Sequence, residues 1–481
     1  MAEADDADLA AIVCATRAGS VVAAAGCGKT EQIANAVEHS EGRRLILTHT
    51  HAGVDALRRR LRDRKVSTNR YAIDTIAGWC LRYSASYPLR SGLTVTEPKG
   101  EQDWSAVYAA ALKLLASGAI ERVLRASYCG VLVDEYQDCS HRQHEIVTAI
   151  SKVLPTCVFG DPLQAIFDFN GQAPVDWKAA VFPHFPLIRT LTKAHRWHRH
   201  GNAALATWLE AIRPVLESGS NVALDKRPAC VTWEWLPDQD GPRQNKIVAA
   251  CLKAMGNDGN LVVIADSVNE GARAAIARSL GKQRFSTIEP VECKAIFGAT
   301  RKLATTNGPK RLEATLDLLE KCMSGIGRAD FKKAVAARKL GRKLGETRFG
   351  TLIGLALALE QDASNASCLA LIDGFAGLPA CHIYRREMLS AVRSALKLIM
   401  SGEDISLAEA VWRVQNQLRH AGRRVPYYSV GSTLLVKGLE FANVVIVHSP
   451  SLSNKDWYVA LTRATHRITI LSPDRSIRPP G

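Results

Sequence analysis

The stretch Ala23-Ala24-Ala25-Gly26-Cys27-Gly28-Lys29-Thr30 decides how the rest of the chain is read. The apolar run Ser20-Val21-Val22 before it predicts a buried strand. After it, Ile33, Ala36 and Val37 recur at helical spacing, which predicts a helix from Thr30 to His39. A strand, a glycine-bearing loop and Lys-Thr opening a helix form a cradle for phosphate, because backbone N–H groups and the positive helix end surround an anion. In that cradle Ala25, Gly26, Cys27 and Gly28 would supply backbone, Lys29 would reach the β- and γ-phosphates, and the Thr30 hydroxyl would hold Mg²⁺. The general pattern has glycine at position 23, where this chain has alanine.

A second strand reading, Cys129-Gly130-Val131-Leu132-Val133, ends in Asp134-Glu135-Tyr136-Gln137-Asp138. Two adjacent carboxylates at a strand end suit phosphate chemistry. Asp134 would bind Mg²⁺, directly or through water, and Glu135 would act as general base toward the attacking water. A third strand leads into Gly160-Asp161-Pro162-Leu163-Gln164, where Gln164 is placed to sense the γ-phosphate. Phe167 and Phe169 lie two apart, so an extended backbone would turn both to one side. They read either as base-stacking platforms or as core.

The chain has 481 residues, a length that predicts two to four domains. Hydrophobic residues make up 47% and charged residues 23%, the balance of an ordinary soluble protein. The acidic start, Met1 to Asp6, lacks a leader pattern, and no apolar run reaches membrane-spanning length. Twelve cysteines without a Cys-x-x-Cys pair argue against zinc and iron–sulfur sites and fit a reducing cytosol. The net charge of +15 points to a polyanionic partner.

Leu45 to Thr50 predicts another strand, followed by a helix carrying Arg58, Arg59, Arg60, Arg62, Arg64 and Lys65. Two readings of that charge run stand, a solvated face or a contact with a phosphate backbone. Thr75 and Trp79, at the end of an apolar run, likewise read as strand contacts or as a helix cap and a core aromatic. Downstream, Leu261 to Ala265, Val444 to Val447 and Ile468 to Leu471 predict further buried strands. The basic stretch 286–414 predicts helices inserted between them.

Taken together, these motifs resemble superfamily 1A helicases of the UvrD/Rep class. The resemblance is carried by Ala-Gly-Cys-Gly-Lys-Thr, Asp-Glu-Tyr-Gln-Asp, Gly-Asp-Pro-Leu-Gln-Ala-Ile-Phe, Lys437-Gly438-Leu439-Glu440-Phe441 and Tyr458-Val459-Ala460-Leu461-Thr462-Arg463-Ala464, in the family's order. In that family alanine at position 23 is normal. The resemblance implies an α/β fold of two RecA-like P-loop domains with parallel sheets. Residues 1–80 and 127–190 would form the first, and 191–285 and 415–481 the second. A short insertion at 81–126 and a helical one at 286–414 would complete the chain.

It further implies ATP and Mg²⁺ as ligands and 3′ to 5′ movement on single-stranded DNA, in DNA repair or anti-phage defence. Arg196 and Arg463 would reach from the second domain to the γ-phosphate, Glu440 would lie near the ribose and His195 against the adenine. Thr48, His49 and Thr50, then Thr75 and Trp79, then Phe167 and Phe169, would contact the strand. The sequence departs from the family in having no Gln within Asp6 to Ala11, Leu434 where the family has His, and Asn454-Lys455-Asp456 before the last motif. Both insertions are reduced, a compact form similar to the helicase subunit of Gabija anti-phage systems. That similarity implies an alternative, a nucleotide- or DNA-sensing regulatory ATPase beside an OLD-type nuclease.

Overall fold

A computed structural model describes the chain apart from residues 1, 99, 168–173, 291–293, 343–346, 404, 422–424 and 478–481. The side chains of 2–7, 294 and 418–421 are also left undescribed. The chain divides into two compact units, residues 1–222 with 454–465 and residues 223–453 with 466–481. Each is built on a six-stranded parallel sheet, as an α/β protein of two RecA-like domains requires.

In the first unit the strands are β1 (Ala18–Ala23), β2 (Arg44–Thr48), β3 (Tyr71–Thr75), β4 (Gly130–Val133), β5 (Thr156–Gly160) and β6 (Leu187–Leu191). Their order is β3-β2-β4-β5-β1-β6. All residues of β2, β4 and β5 are buried, which explains why these strands read as continuous apolar runs rather than alternating ones. Helices cover both faces. Those used below are α1 (Lys29–His39), α2 (His51–Asp63), α3 (Ile76–Ser86), α4 (Glu101–Ala116), α5 (His141–Val153), α6 (Ala203–Glu217) and α7 (Asn454–Leu461).

Among the described residues, the segment 81–126 shares its core with the first sheet. Val107, Ala111 and Leu114 of α4 pack into the same apolar cluster as Val131 and Val133 of β4 and Ile146 of α5. Residues 191–222 and 454–465 also pack with this first unit, although the sequence reading grouped them with the second sheet.

In the second unit the strands are β7 (Val231–Trp235), β8 (Leu261–Ile264), β9 (Ser286–Thr287), β10 (Tyr428–Gly431), β11 (Phe441–Val447) and β12 (Ala464–Ser472), in the order β9-β10-β8-β11-β12-β7. The block between β9 and β10 is mainly helical, with one short antiparallel pair (Met323–Ser324 with His382–Ile383), and its separate apolar cluster includes Phe331, Phe349, Phe375 and Leu396. Among the described residues no helix is long and apolar enough to cross a membrane.

Candidate nucleotide and strand site

Parallel strands bring their carboxyl ends to one edge of the first sheet, and the loops that leave those ends carry the polar residues. The loop after β1 turns on two glycines in the left-handed region, Gly26 at φ 73° and Gly28 at φ 81°. Gly26 is also constrained by space. A Cβ there would stand 2.9 Å from both the Arg196 Cβ and the Trp197 ring. The N-cap of α1 is Gly28, so no side chain claims the N–H groups of its first turn. Those groups and the positive helix end stay available to an anion.

Lys29 opens α1 and projects onto the end of β4. Its Nζ lies 2.6 Å from Glu135 Oε1 and 3.2 Å from Asp134 Oδ1. Burial pulls the Lys29 pKa down, but the two carboxylates outweigh burial and hold it above the usual lysine value. Asp134 is pushed up by burial and by Glu135, against the opposing pull of Lys29. Glu135 sits at φ 53°, a left-handed conformation that costs a non-glycine residue about 1–3 kcal/mol. Its carboxylate accepts a hydrogen bond from Gln137 Nε2. Gln137 is fully buried, and its Oε1 accepts from the Asp161 N–H at 3.0 Å. A Cβ on Gly160 would stand 2.7 Å from that oxygen, so the glycine makes room for the bridge.

From Asp161 the network continues. Gln164 Nε2 donates to Asp161 Oδ2 at 2.8 Å, and Arg463 Nη2 donates to Gln164 Oε1 at 3.4 Å. Arg463 is 1% exposed and donates from Nε to the Val459 carbonyl at 2.9 Å. The Arg196 N–H donates to the Gly26 carbonyl at 3.1 Å, and its guanidinium donates to the Thr462 carbonyl at 2.8 Å. His195 opens the short helix His195–Arg199, and its Cδ2 would lie 3.9 Å from a Cβ on Gly28. Lys29, Glu135, Gln164, Arg196 and Arg463 therefore all belong to the first unit. Glu440 lies in the second, exposed in the loop before β11. Cys27 is 3% exposed, and burial, helped by Asp161, pushes its thiol up to about 12, so it stays protonated at neutral pH.

Four residues of this network carry no role in the sequence motifs as read above. Gln137, Asp161 and Tyr458 of α7 lie inside motifs. The fourth, Arg213 of α6, lies outside any. Arg213 donates to both oxygens of Asp161, at 2.7 and 3.1 Å, and to the Tyr458 hydroxyl at 2.6 Å. That hydroxyl also accepts from the Ala25 N–H at 3.1 Å, which ties the phosphate loop to α7. No motif spacing marks Arg213, since one arginine on an amphipathic helix reads as a solvated charge.

The expected strand contacts separate into two groups. Thr48 and Trp79 are fully enclosed. Trp79 lies against Tyr83 within the apolar core, ring centroids 4.6 Å apart and tilted by 31°. Burial corrects the expectation that these two touch a strand. Thr75 is 5% exposed and caps α3 by accepting from the Gly78 N–H at 2.9 Å, so here the cap and the core aromatic are what the fold makes. Thr50 caps α2 but remains exposed, beside a half-buried His49. The His49 ring meets the half-buried Phe167 edge-on at 5.3 Å. Phe169 lies outside the described residues.

The residues present fit a magnesium–nucleotide pair. Thr30 and Asp134 offer hard oxygen ligands, and the ammonium of Lys29 already rests between the carboxylates that would face such a pair. Among the described residues no cluster of three or more His, Cys, Asp or Glu side chains stands ready to hold a metal alone.

A family model described as the UvrD/REP helicase N-terminal domain matches residues 93–176, the segment that carries Asp134, Glu135 and Gln164. No curated protein matches the chain. Among solved structures, a complex of arterivirus nonstructural protein 10 (helicase) with DNA is 11% identical, over 97% of this chain and 63% of that one, with a TM-score of 0.36. The crystal structure of the same arterivirus helicase is 12% identical, over 97% and 61%, also at 0.36. The PRRSV helicase is 11% identical, over 97% and 54%, at 0.29. The chain thus spans less than two thirds of the length of these viral proteins, and likeness this distant is silent on substrate and activity.

Proposed function

We propose that this chain is a DNA-dependent ATPase that moves along single-stranded DNA, a translocase or helicase of the UvrD/Rep type. The observation that carries the reading is the convergence of Lys29 with Asp134 and Glu135 at the end of one parallel sheet. A phosphate-loop lysine beside two carboxylates is the arrangement that phosphoryl transfer to water needs.

ATP would rest on the backbone of Ala25 to Gly28 and on Lys29, with Mg²⁺ on Thr30 and Asp134. Bound there, the ion would neutralise charge on the phosphates. Glu135 would take the proton of the attacking water at its carboxylate, held in place by Gln137. Arg196 and Arg463 would offset the charge that develops on the transferred group. Gln164 donates to Asp161 and accepts from Arg463, so it could report the γ-phosphate to both.

On the strand side, the candidates among the described residues that are not buried are His49, Thr50 and Phe167, with Phe167 as a stacking surface. Stepping would need a second element that grips the strand, and the second unit, residues 223–453 with 466–481, carries a second six-stranded sheet. The 3′ to 5′ direction and a role in repair or anti-phage defence, with or without an OLD-type nuclease, rest on the sequence resemblance alone.

Streptavidin displacement tests the motor directly. Single strands biotinylated at one end are incubated with the protein and ATP, and the freed streptavidin is measured. Faster release from the 5′ end than from the 3′ end supports 3′ to 5′ movement. Release from neither end, with the ATPase active, would refute translocation.

A further inference from the structure

Five of the six basic residues from Arg58 to Lys65 fall into two groups. Arg60 and Arg64 turn inward to α1. Arg60 pairs with Glu31, and Arg64 pairs with Glu31 at 3.0 Å and Glu38 at 2.9 Å while donating to Asn35 at 2.6 Å. Those two arginines are spent on helix packing. Arg58, Arg62 and Lys65 instead line a cavity of about 440 Å³, together with Val66, Ser67, Thr68 and Tyr71. Arg58 and Arg62 are one helical turn apart, so their stems stand side by side. Among the described residues the acidic partner there is Asp55, 3.7 Å from Arg58, where both side chains are about half exposed. Such an exposed pair holds its arginine weakly. Asp63 belongs to the same helix but does not line the cavity.

The turn that places Lys65 is unusual. The Lys65 N–H donates to the Arg62 carbonyl and the Val66 N–H to the Leu61 carbonyl, the paired bonds of a Schellman ending. The residue at the turn is normally glycine, because it takes a left-handed conformation. Here it is lysine, at φ 58°. The lysine at this turn brings a third cation to the cavity.

The cavity is remote from the nucleotide. In the parallel first sheet, α2 leaves the carboxyl end of β2 and ends before the amino end of β3. Its last turn therefore lies at the opposite edge of the sheet from the loop of Lys29, about 20 Å along the helix from Thr50.

We infer that this basic cavity is a second contact for a nucleic acid phosphate backbone, engaging the strand or duplex beyond the part held at His49, Thr50 and Phe167. Three cations, two hydroxyls and a phenol in one concavity match phosphodiester oxygens, whose affinity comes from charge and is read by salt. The helix that begins at Thr50 leads to it, and the chain's charge of +15 favours the same partner. The inference rests on the reading of the protein as a nucleic-acid-driven ATPase.

The test compares wild type with the triple variant Arg58→Ala/Arg62→Ala/Lys65→Ala, measuring oligonucleotide affinity against salt, with short strands and with long ones. The expected result is weaker binding of long strands only, with the salt slope lowered by about 2–3 units and ATP hydrolysis without DNA unchanged. The charge-preserving variant Arg58→Lys/Arg62→Lys should bind long strands nearly as wild type does. A triple variant that binds long strands with wild-type affinity and slope, while wild type is stimulated by DNA, overturns the second contact alone. Wild type that binds no nucleic acid overturns the functional reading as well. Equal losses for short and long strands would place the residues in the main site and so refute a separate one. Loss of binding to anionic vesicles without loss of DNA binding would make the cavity a lipid site and refute the inference.

Discussion

Arg213 grips Asp161 with both arms of its guanidinium, Nη2 to Oδ1 at 2.7 Å and Nη1 to Oδ2 at 3.1 Å. The Asp161 side chain is fully buried, so this pair is the charge balance of the site's floor. Arg213→Met would leave an unpaired carboxylate in the interior. The expected loss is roughly 3–5 kcal/mol in denaturant unfolding. The double variant Arg213→Met/Asp161→Asn should recover part of it, because the buried charge is then gone.

Gln137 bridges Glu135 to the Asp161 backbone, and Glu135 takes a left-handed backbone to reach Lys29. Glu135→Gln should retain nucleotide affinity and lose about 10²- to 10⁴-fold in kcat. Gln137→Met should act through Glu135, lowering kcat while KM for ATP changes little. A loss confined to KM would show that Gln137 serves binding rather than the orientation of the base.

Trp79 and Phe167 should behave oppositely. Trp79→Ala opens a hole beneath α3 and is expected to cost about 3–5 kcal/mol of stability, while Trp79→Phe leaves strand affinity unchanged. Phe167→Ala should barely move the unfolding midpoint and should weaken single-strand binding by about 1–3 kcal/mol. Fluorescence titration with a labelled oligonucleotide and a parallel urea melt separate the two effects.

His144 gives a pH signature. Burial, with His184 and His141 adding to it, lowers its pKa from 6.5 to about 4, and its Nδ1 shares a hydrogen bond with the Tyr136 hydroxyl at 2.8 Å. The unfolded chain takes up this proton near pH 6.5, whereas the folded one resists until about pH 4. Stability from this group is therefore complete above pH 6.5 and is lost as pH falls toward 4. Urea midpoints measured across that window should fall for wild type and fall less for His144→Gln.

Much of this was legible in the chain itself. Buried strands of a parallel sheet are continuous apolar runs, so β1, β4, β5, β8 and β11 stand out, and the polar residues at their ends name the phosphate loop and the paired carboxylates. What was hidden is tertiary. Whether Trp79 is core or contact depends on what covers it, and periodicity does not carry that information. Arg213 and Tyr458 meet across 245 residues of sequence. Likewise, six basic residues in one run look alike until α1 claims Arg60 and Arg64. The packing of 191–222 and 454–465 with the first unit has the same cause: Trp197 Nε1 donates to the Ala464 carbonyl at 2.7 Å and Asn202 to that of Thr465 at 3.1 Å, which no local pattern announces.

The most direct measurement is steady-state ATP hydrolysis with and without single-stranded DNA, for wild type and Lys29→Ala. The account predicts slow hydrolysis that the strand accelerates strongly, and none above background in Lys29→Ala. Wild-type hydrolysis indifferent to the strand, or hydrolysis that survives in Lys29→Ala, would contradict a strand-driven motor built on this phosphate loop.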